Sequence, residues 1–188
     1  MSTQPAEKLL QDMMRQYCRW TSSSVYPDMK KLREVLTQLS DQQKLHILQQ
    51  EYLVRGTPLH CAARWGHTEI ISTLLTSLQS SAYRLKLLMV YDMYYRPLHE
   101  AADCGHTKSV EMILDCLTAD QQIHIMSVQS DWRGETAIQL ADRRGRTDTV
   151  RVLREYQHRA DNLMRGYRIM QAGQFNSFFQ KCSVYRVF

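Results

Sequence analysis

Apolar residues recur in this chain at spacings of three and four, in blocks that repeat along its length. Ile70, Ile71, Leu74, Leu75 and Leu78 form one block; Val110, Ile113, Leu114 and Leu117 form the next. Leu32, Val35, Leu36 and Leu39 stand 39 positions before Ile71, Leu74, Leu75 and Leu78 (71 − 32 = 39). Each block predicts a helix with one buried face. Leu9, Leu10, Met13 and Met14 predict a further helix over Glu7–Tyr17. Between the blocks lie extra stretches that begin with Ser40…Gln43 and Thr118…Gln121. That spacing matches the capping box, a reciprocal hydrogen-bond pair that starts a helix, and predicts an extra short helical turn per block.

A four-residue phrase repeats with the same period. Thr57-Pro58-Leu59-His60 returns at Arg96-Pro97-Leu98-His99 and, altered, at Thr136-Ala137-Ile138-Gln139. Self-similarity at a period of 20–50 residues marks one supersecondary unit stacked on copies of itself. Thr before Pro predicts a helix N-cap with Pro at the first helical position, where its missing N–H costs nothing. Ala62-Ala63 and Ala101-Ala102 would let a neighbouring helix approach closely. Gly66, Gly105 and Gly145 fall where each short helix must end in the left-handed conformation. Thr68, Thr107 and Thr147 follow two residues later and predict the start of a second helix.

This unit resembles the ankyrin repeat, whose phrase Thr-Pro-Leu-His-x-Ala-Ala stands almost intact at 57–63. The resemblance covers roughly residues 28–156. It implies an all-α solenoid of stacked helix pairs with β-turn fingers: three recognisable copies after a degenerate N-terminal one. The expected division is 1–27 as a capping helix and half repeat, 28–156 as the array, and 157–188 as a basic, aromatic tail. The first helix of the degenerate copy is expected around Cys18–Val25. The family period is about 33 residues, so the extra stretches account for the longer spacing here.

Composition narrows the function classes. With 44% hydrophobic and 23% charged residues the chain is globular. It shows neither a basic, apolar leader nor an apolar run of the ~18 residues a bilayer span requires. Five cysteines without a framework pattern point to reduced thiols in the cytoplasm or nucleus. The net charge of +5 sits mostly in the tail, where Arg159, Arg165, Arg168, Lys181 and Arg186 oppose Asp161.

Catalytic and metal chemistry find little support. Zinc-type Cys-x-x-Cys spacing, a Walker loop and a dinucleotide glycine pattern are all missing from the sequence. His60 and His99 recur at the repeat period, which favours a structural role, since catalysis needs one site rather than several. Cys61 beside His60 lacks a recognisable orienting third group. The sequence therefore predicts no enzyme and no cofactor. The arginine run Arg143-Arg144-Gly145-Arg146, with Arg151 and Arg154 beyond, is interleaved with Asp142, Asp148 and Glu155 and reads as a solvated, salt-bridged face.

The resemblance implies a monomeric protein–protein interaction module: an adaptor, scaffold or inhibitor acting through its concave surface. Finger tips and first-helix ends then supply the partner-binding residues. In register these are Leu53, Val54, Arg64 and Trp65; then Asp92, Met93, Tyr95, Asp103 and Cys104; then Trp132, Arg133, Glu135, Arg143 and Arg144. Trp65 and Trp132 are the expected anchors. The alternative is nucleic-acid or anionic-surface binding through the basic tail. Phe175, Phe178 and Phe179 form a helical stripe there, and part of Asp161–Phe179 is expected to fold back over the last repeat as a cap.

Overall fold

A computed structural model describes residues 4–19, 27–52, 56–92, 94–130 and 133–183, with the backbone alone at residue 4 and over 168–183. Eleven helices follow one another in these segments: α1 (Gln4–Arg19), α2 (Met29–Thr37), α3 (Asp41–Leu48), α4 (Pro58–Trp65), α5 (Thr68–Thr76), α6 (Ser81–Met89), α7 (Pro97–Cys104), α8 (Thr107–Asp115), α9 (Ala119–Ser127), α10 (Ala137–Arg143) and α11 (Thr147–Ser183).

The helices stack in three columns. The inner column is α4, α7 and α10, each packed on the next. The outer column is α5, α8 and α11; the third is α3, α6 and α9. Short helices of seven to nine residues hold little stability alone, so the stacking itself must stabilise them. The apolar blocks supply it: Ile70, Ile71, Leu74, Leu75, Val110, Ile113 and Leu114 are all fully buried. Ala62, Ala63, Ala101 and Ala102 are buried too, where the inner helices meet.

The third column is more than the single turn the sequence suggested. Each member is a helix of eight or nine residues. Capping boxes at Ser40/Gln43 and Thr118/Gln121 start two of them. Its polar side chains also finish the outer column. Lys44 Nζ donates to the Ser77 carbonyl at 2.7 Å, Arg84 Nη1 to the Cys116 carbonyl at 3.2 Å, and Gln122 Nε2 to the Leu114 carbonyl at 2.8 Å. Helix C-termini leave carbonyls unpaired and carry negative dipole ends, so donors, above all cations, belong there.

Tight turns let the repeats close on each other. Gly66 has φ +70°, and a Cβ there would lie 2.7 Å from His106 Nδ1. That imidazole is fixed, because its Nε2 bonds the Arg64 carbonyl at 3.0 Å. Gly145, at φ +68°, has nothing within 4 Å of the same position. Gly145→Ala is therefore expected to cost about 1 kcal/mol, the left-handed penalty alone. Gly66→Ala adds a steric clash and is expected to cost about 2–3 kcal/mol more. Chemical denaturation of the two variants measures the difference, and equal losses would contradict the close contact.

Both ends of the array differ from expectation. At the N-terminal end α1 runs on through Cys18 and Arg19, where a separate first helix was expected; the remainder of that segment lies outside the described residues. α1 packs against α2, α3 and α4 and so stands where an inner helix would. Its Tyr17 hydroxyl meets His67 Nδ1 at 2.7 Å.

At the other end the tail does not fold back. α11 continues without interruption through Gln157 to Ser183 and lies against α9. Tyr156 and Ala160 are buried on the way, while Leu163 and Tyr167 are exposed. No cap is needed because the last repeat has a polar outer face. Asp142 stands where Ala63 and Ala102 are buried, Arg154 where Leu75 and Leu114 are buried, and Gln157 where Leu78 and Leu117 are buried; all three are exposed. Val150, Leu153 and Tyr156, expected to be uncovered, already face the core. The side chains of Phe175, Phe178 and Phe179 lie outside the description.

Candidate functional site

Three fingers project between the third column and the inner column, and their hydrogen bonds follow from local sequence. In the first, the Tyr52 amide donates to the Gly56 carbonyl at 3.1 Å. In the second, the Asp92 amide donates to the Tyr95 carbonyl at 2.9 Å, while Asp92 Oδ1 accepts from the Tyr94 and Tyr95 amides at 3.0 Å each. Asp suits such a turn because its carboxylate bonds the backbone two residues on. In the third, the Ser130 amide donates to the Glu135 carbonyl at 2.7 Å, and Gln129 and Thr136 form an antiparallel bridge.

Side chains stitch finger to finger. His60 Nδ1 accepts from the Thr57 amide at 3.2 Å, so the ring proton sits on Nε2 and is donated to the Tyr95 carbonyl at 3.1 Å. Burial pushes the His60 pKa down to about 4, and the neutral ring is the one these bonds require. Arg96 makes the next stitch, donating to the Gln129 carbonyl at 2.9 Å while its guanidinium lies over the Tyr91 ring at 5.2 Å. Tyr95 stacks on His99, with ring centroids 6.3 Å apart.

The inner-helix ends carry a chain of ion pairs. Arg64 Nε donates to Glu100 Oε2 at 2.9 Å and Nη2 to Asp92 Oδ2 at 3.2 Å, and a second nitrogen–oxygen contact joins Nη2 to Glu100 Oε1. Burial pushes the Glu100 carboxyl up, against the pull of Arg64; donating to Glu100 raises the Arg64 pKa. Arg143 grips Glu135 with both arms, at 2.9 and 3.0 Å. Arg144 pairs with Asp103, and Arg146 Nε donates to the Asp103 carbonyl at 3.1 Å. The Arg143 bond holds the Glu135 carboxyl below its usual range. The arginine run is thus salt-bridged, as its composition suggested: Arg143 pairs with Glu135 and Arg144 with Asp103, while of the interleaved acids Glu155 pairs with Arg151.

Three helix columns, left-handed glycine turns and fingers recur with the Thr-Pro-Leu-His phrase. The sequence matches the family described as ankyrin repeats, in three copies, over residues 29–124. The chain belongs to the ankyrin-repeat family. Ankyrin repeats are modules of protein–protein interaction. No curated protein matches this chain in sequence. No helix among the described residues is long and apolar enough to cross a membrane.

The ankyrin array brings Glu135 within electrostatic reach of Arg133, Arg143 and Arg144, and both Arg143 and Arg144 within reach of Tyr95 and Asp103. Trp65 and Cys104, each half-buried, take the same register position as Arg144 in their own repeats. Arg64 and Asp92 are also adjacent, but Asp92 is buried and both belong to the ion-pair network. Leu53, Val54, Met93 and Trp132 lie outside the described residues. Tyr91 and Tyr94, 52% and 44% exposed, join the surface; they stand on the same finger as Asp92 and Tyr95, although the register carried over from the family did not select them. Their place on an aromatic finger was the signal available. Glu100 and Arg146 had no such signal, because their roles depend on side chains from neighbouring repeats.

Proposed function

We propose that this ankyrin array is a non-catalytic adaptor, scaffold or inhibitor, acting in the cytoplasm or nucleus, that holds another protein on its concave surface. The carrying observation is the second finger, where Tyr91 and Tyr94 are largely exposed beside half-buried Tyr95. Large aromatics left exposed have burial still to gain, and such residues dominate binding energy at interfaces. Hydrogen bonds accepted by Asp92 and donated by His60 and Arg96 tie the described finger residues to their neighbours, which limits the ordering cost of association. Trp65 extends the same surface into the first repeat and remains the expected anchor.

The test is quantitative capture of a saturable protein partner by the immobilised chain. Trp65→Ala combined with Tyr91→Ala is expected to weaken capture by about 2 kcal/mol or more, roughly 30-fold, in a variant shown by its melting transition to remain folded. Leu163→Ala with Tyr167→Ala, on the exposed side of α11, is expected to leave capture intact. The opposite pattern would move the binding surface to α11.

A further inference from the structure

The concave surface is not electrically uniform, and its imbalance has a chemical meaning. Around Arg64 the guanidinium is matched by two buried carboxylates, Asp92 and Glu100. Toward the third repeat the described residues supply Arg96, Arg133, Arg143, Arg144 and Arg146 against Asp103 and Glu135. Both of those carboxylates are already engaged, by Arg144 and Arg143. Among these described residues three guanidiniums have no carboxylate hydrogen-bonded to them: Arg96, laid on Tyr91 and bonded to the Gln129 carbonyl; Arg146, bonded to the Asp103 carbonyl; and the exposed Arg133.

We propose that this end of the surface docks an extended acidic peptide segment of the partner, with its carboxylates on Arg96, Arg133 and Arg146 and its apolar side chains on Tyr91 and Tyr94. This rests on the concave surface being the binding face. Charge complementarity selects the occupant. An extended peptide presents side chains on one side about every 7 Å, so it can alternate carboxylates with apolar groups. A duplex nucleic acid carries a charge for about every 1.7 Å of its axis. Such a polyanion would have to run over Asp103 and Glu135, which are held in place by their arginine partners. The exposed tyrosines also fit a peptide with apolar groups better than a phosphate backbone.

The test uses the full chain and three fluorescein-labelled probes: a twelve-residue peptide alternating glutamate with leucine and serine, the same peptide with lysine for glutamate, and a twelve-base-pair DNA duplex. Anisotropy titrations are run at 50 and 300 mM NaCl. The glutamate peptide is expected to bind about tenfold or more tightly than the lysine peptide, and to weaken about tenfold at the higher salt. Arg133→Glu and, separately, Arg146→Glu are each expected to reduce its binding about fivefold or more, with melting temperatures checked for both. Equal binding of the two peptides, tighter binding of the duplex, or no effect of either substitution in a folded variant overturns the proposal. The partner-capture experiment separates the two ideas. If Trp65→Ala with Tyr91→Ala abolishes capture while the glutamate peptide fails, the surface stands and its acidic occupant falls. If the peptide behaves as expected while capture ignores those substitutions, the concave-surface reading falls for the captured partner.

Discussion

Replacing Arg64 with Met is expected to lower the stability of the array by about 3–5 kcal/mol, the cost of stranding a buried charge. Glu100 is 4% exposed in its side chain and Arg64 26%. Asp92 keeps its bonds from the Tyr94 and Tyr95 amides when the guanidinium is gone; Glu100 loses its charged partner. The remedy should be as informative as the damage. Replacing both members, Arg64→Met with Glu100→Leu, removes the stranded charge and is expected to recover all but about 1–2 kcal/mol. The loss also depends on pH with a definite sign. Burial raises the folded Glu100 pKa above its unfolded 4.5, so the folded state binds the proton more tightly and ionisation costs stability. Losing the Arg64 guanidinium raises that pKa further while the unfolded value is common to both proteins, so the deficit of the single variant should grow as pH rises above the native folded pKa of Glu100 and shrink below it. Urea denaturation at two pH values measures all of this; a single-variant loss under about 1 kcal/mol would show that Glu100 does not need Arg64.

Acid is expected to weaken the native array through His60. Its folded pKa of about 4 lies below the ordinary 6.5, so the folded state excludes the proton that the unfolded chain binds. Stability from this group is fully present above pH 6.5 and is lost as pH falls from 6.5 toward 4. At pH 4.5 the loss amounts to about 2.5 kcal/mol, at ~1.36 kcal/mol per pKa unit. Protonation puts a hydrogen on Nδ1, which must accept from the Thr57 amide, so the capping box fails along with the desolvated ring. The comparison variant is written in the protein itself. The third copy has Gln139 at this position, and Gln139 Oε1 accepts from the Thr136 amide at 2.9 Å. His60→Gln should keep the cap, lose the link to the Tyr95 carbonyl, and flatten the acid response. Denaturation at pH 7.5 and 4.5 should show the native protein losing about 2.5 kcal/mol more than the variant. Other titrating groups, Glu100 included, are common to both and drop out of the difference.

His60 also shows how far local sequence carries the structure. Its phrase, the capping positions at Thr57 and Thr136, and the glycines at 66, 105 and 145 act within a few residues, so they were legible. The apolar blocks at 32–39, 70–78 and 110–117 were legible because helical periodicity is a property of the chain. Together they determined a helical ankyrin array, its register and the position of its fingers.

Tertiary structure decided the rest, wherever a role depends on a neighbour some 40 residues away. His differs from Gln at the phrase position because a second nitrogen must reach the next finger; after the third copy the described residues continue as α11 instead. Arg64 looked like a free cation of the binding surface until Glu100 and Asp92 closed on it. The arginine run found its acids in Asp103 and Glu135, not in the interleaved aspartates. The tail was read as a returning cap because Val150, Leu153 and Tyr156 form an apolar stripe; only packing reveals that the stripe faces the core, while Asp142, Arg154 and Gln157 face outward. A stripe's period is written in the sequence, but which surface covers it depends on the order in which the repeats stack.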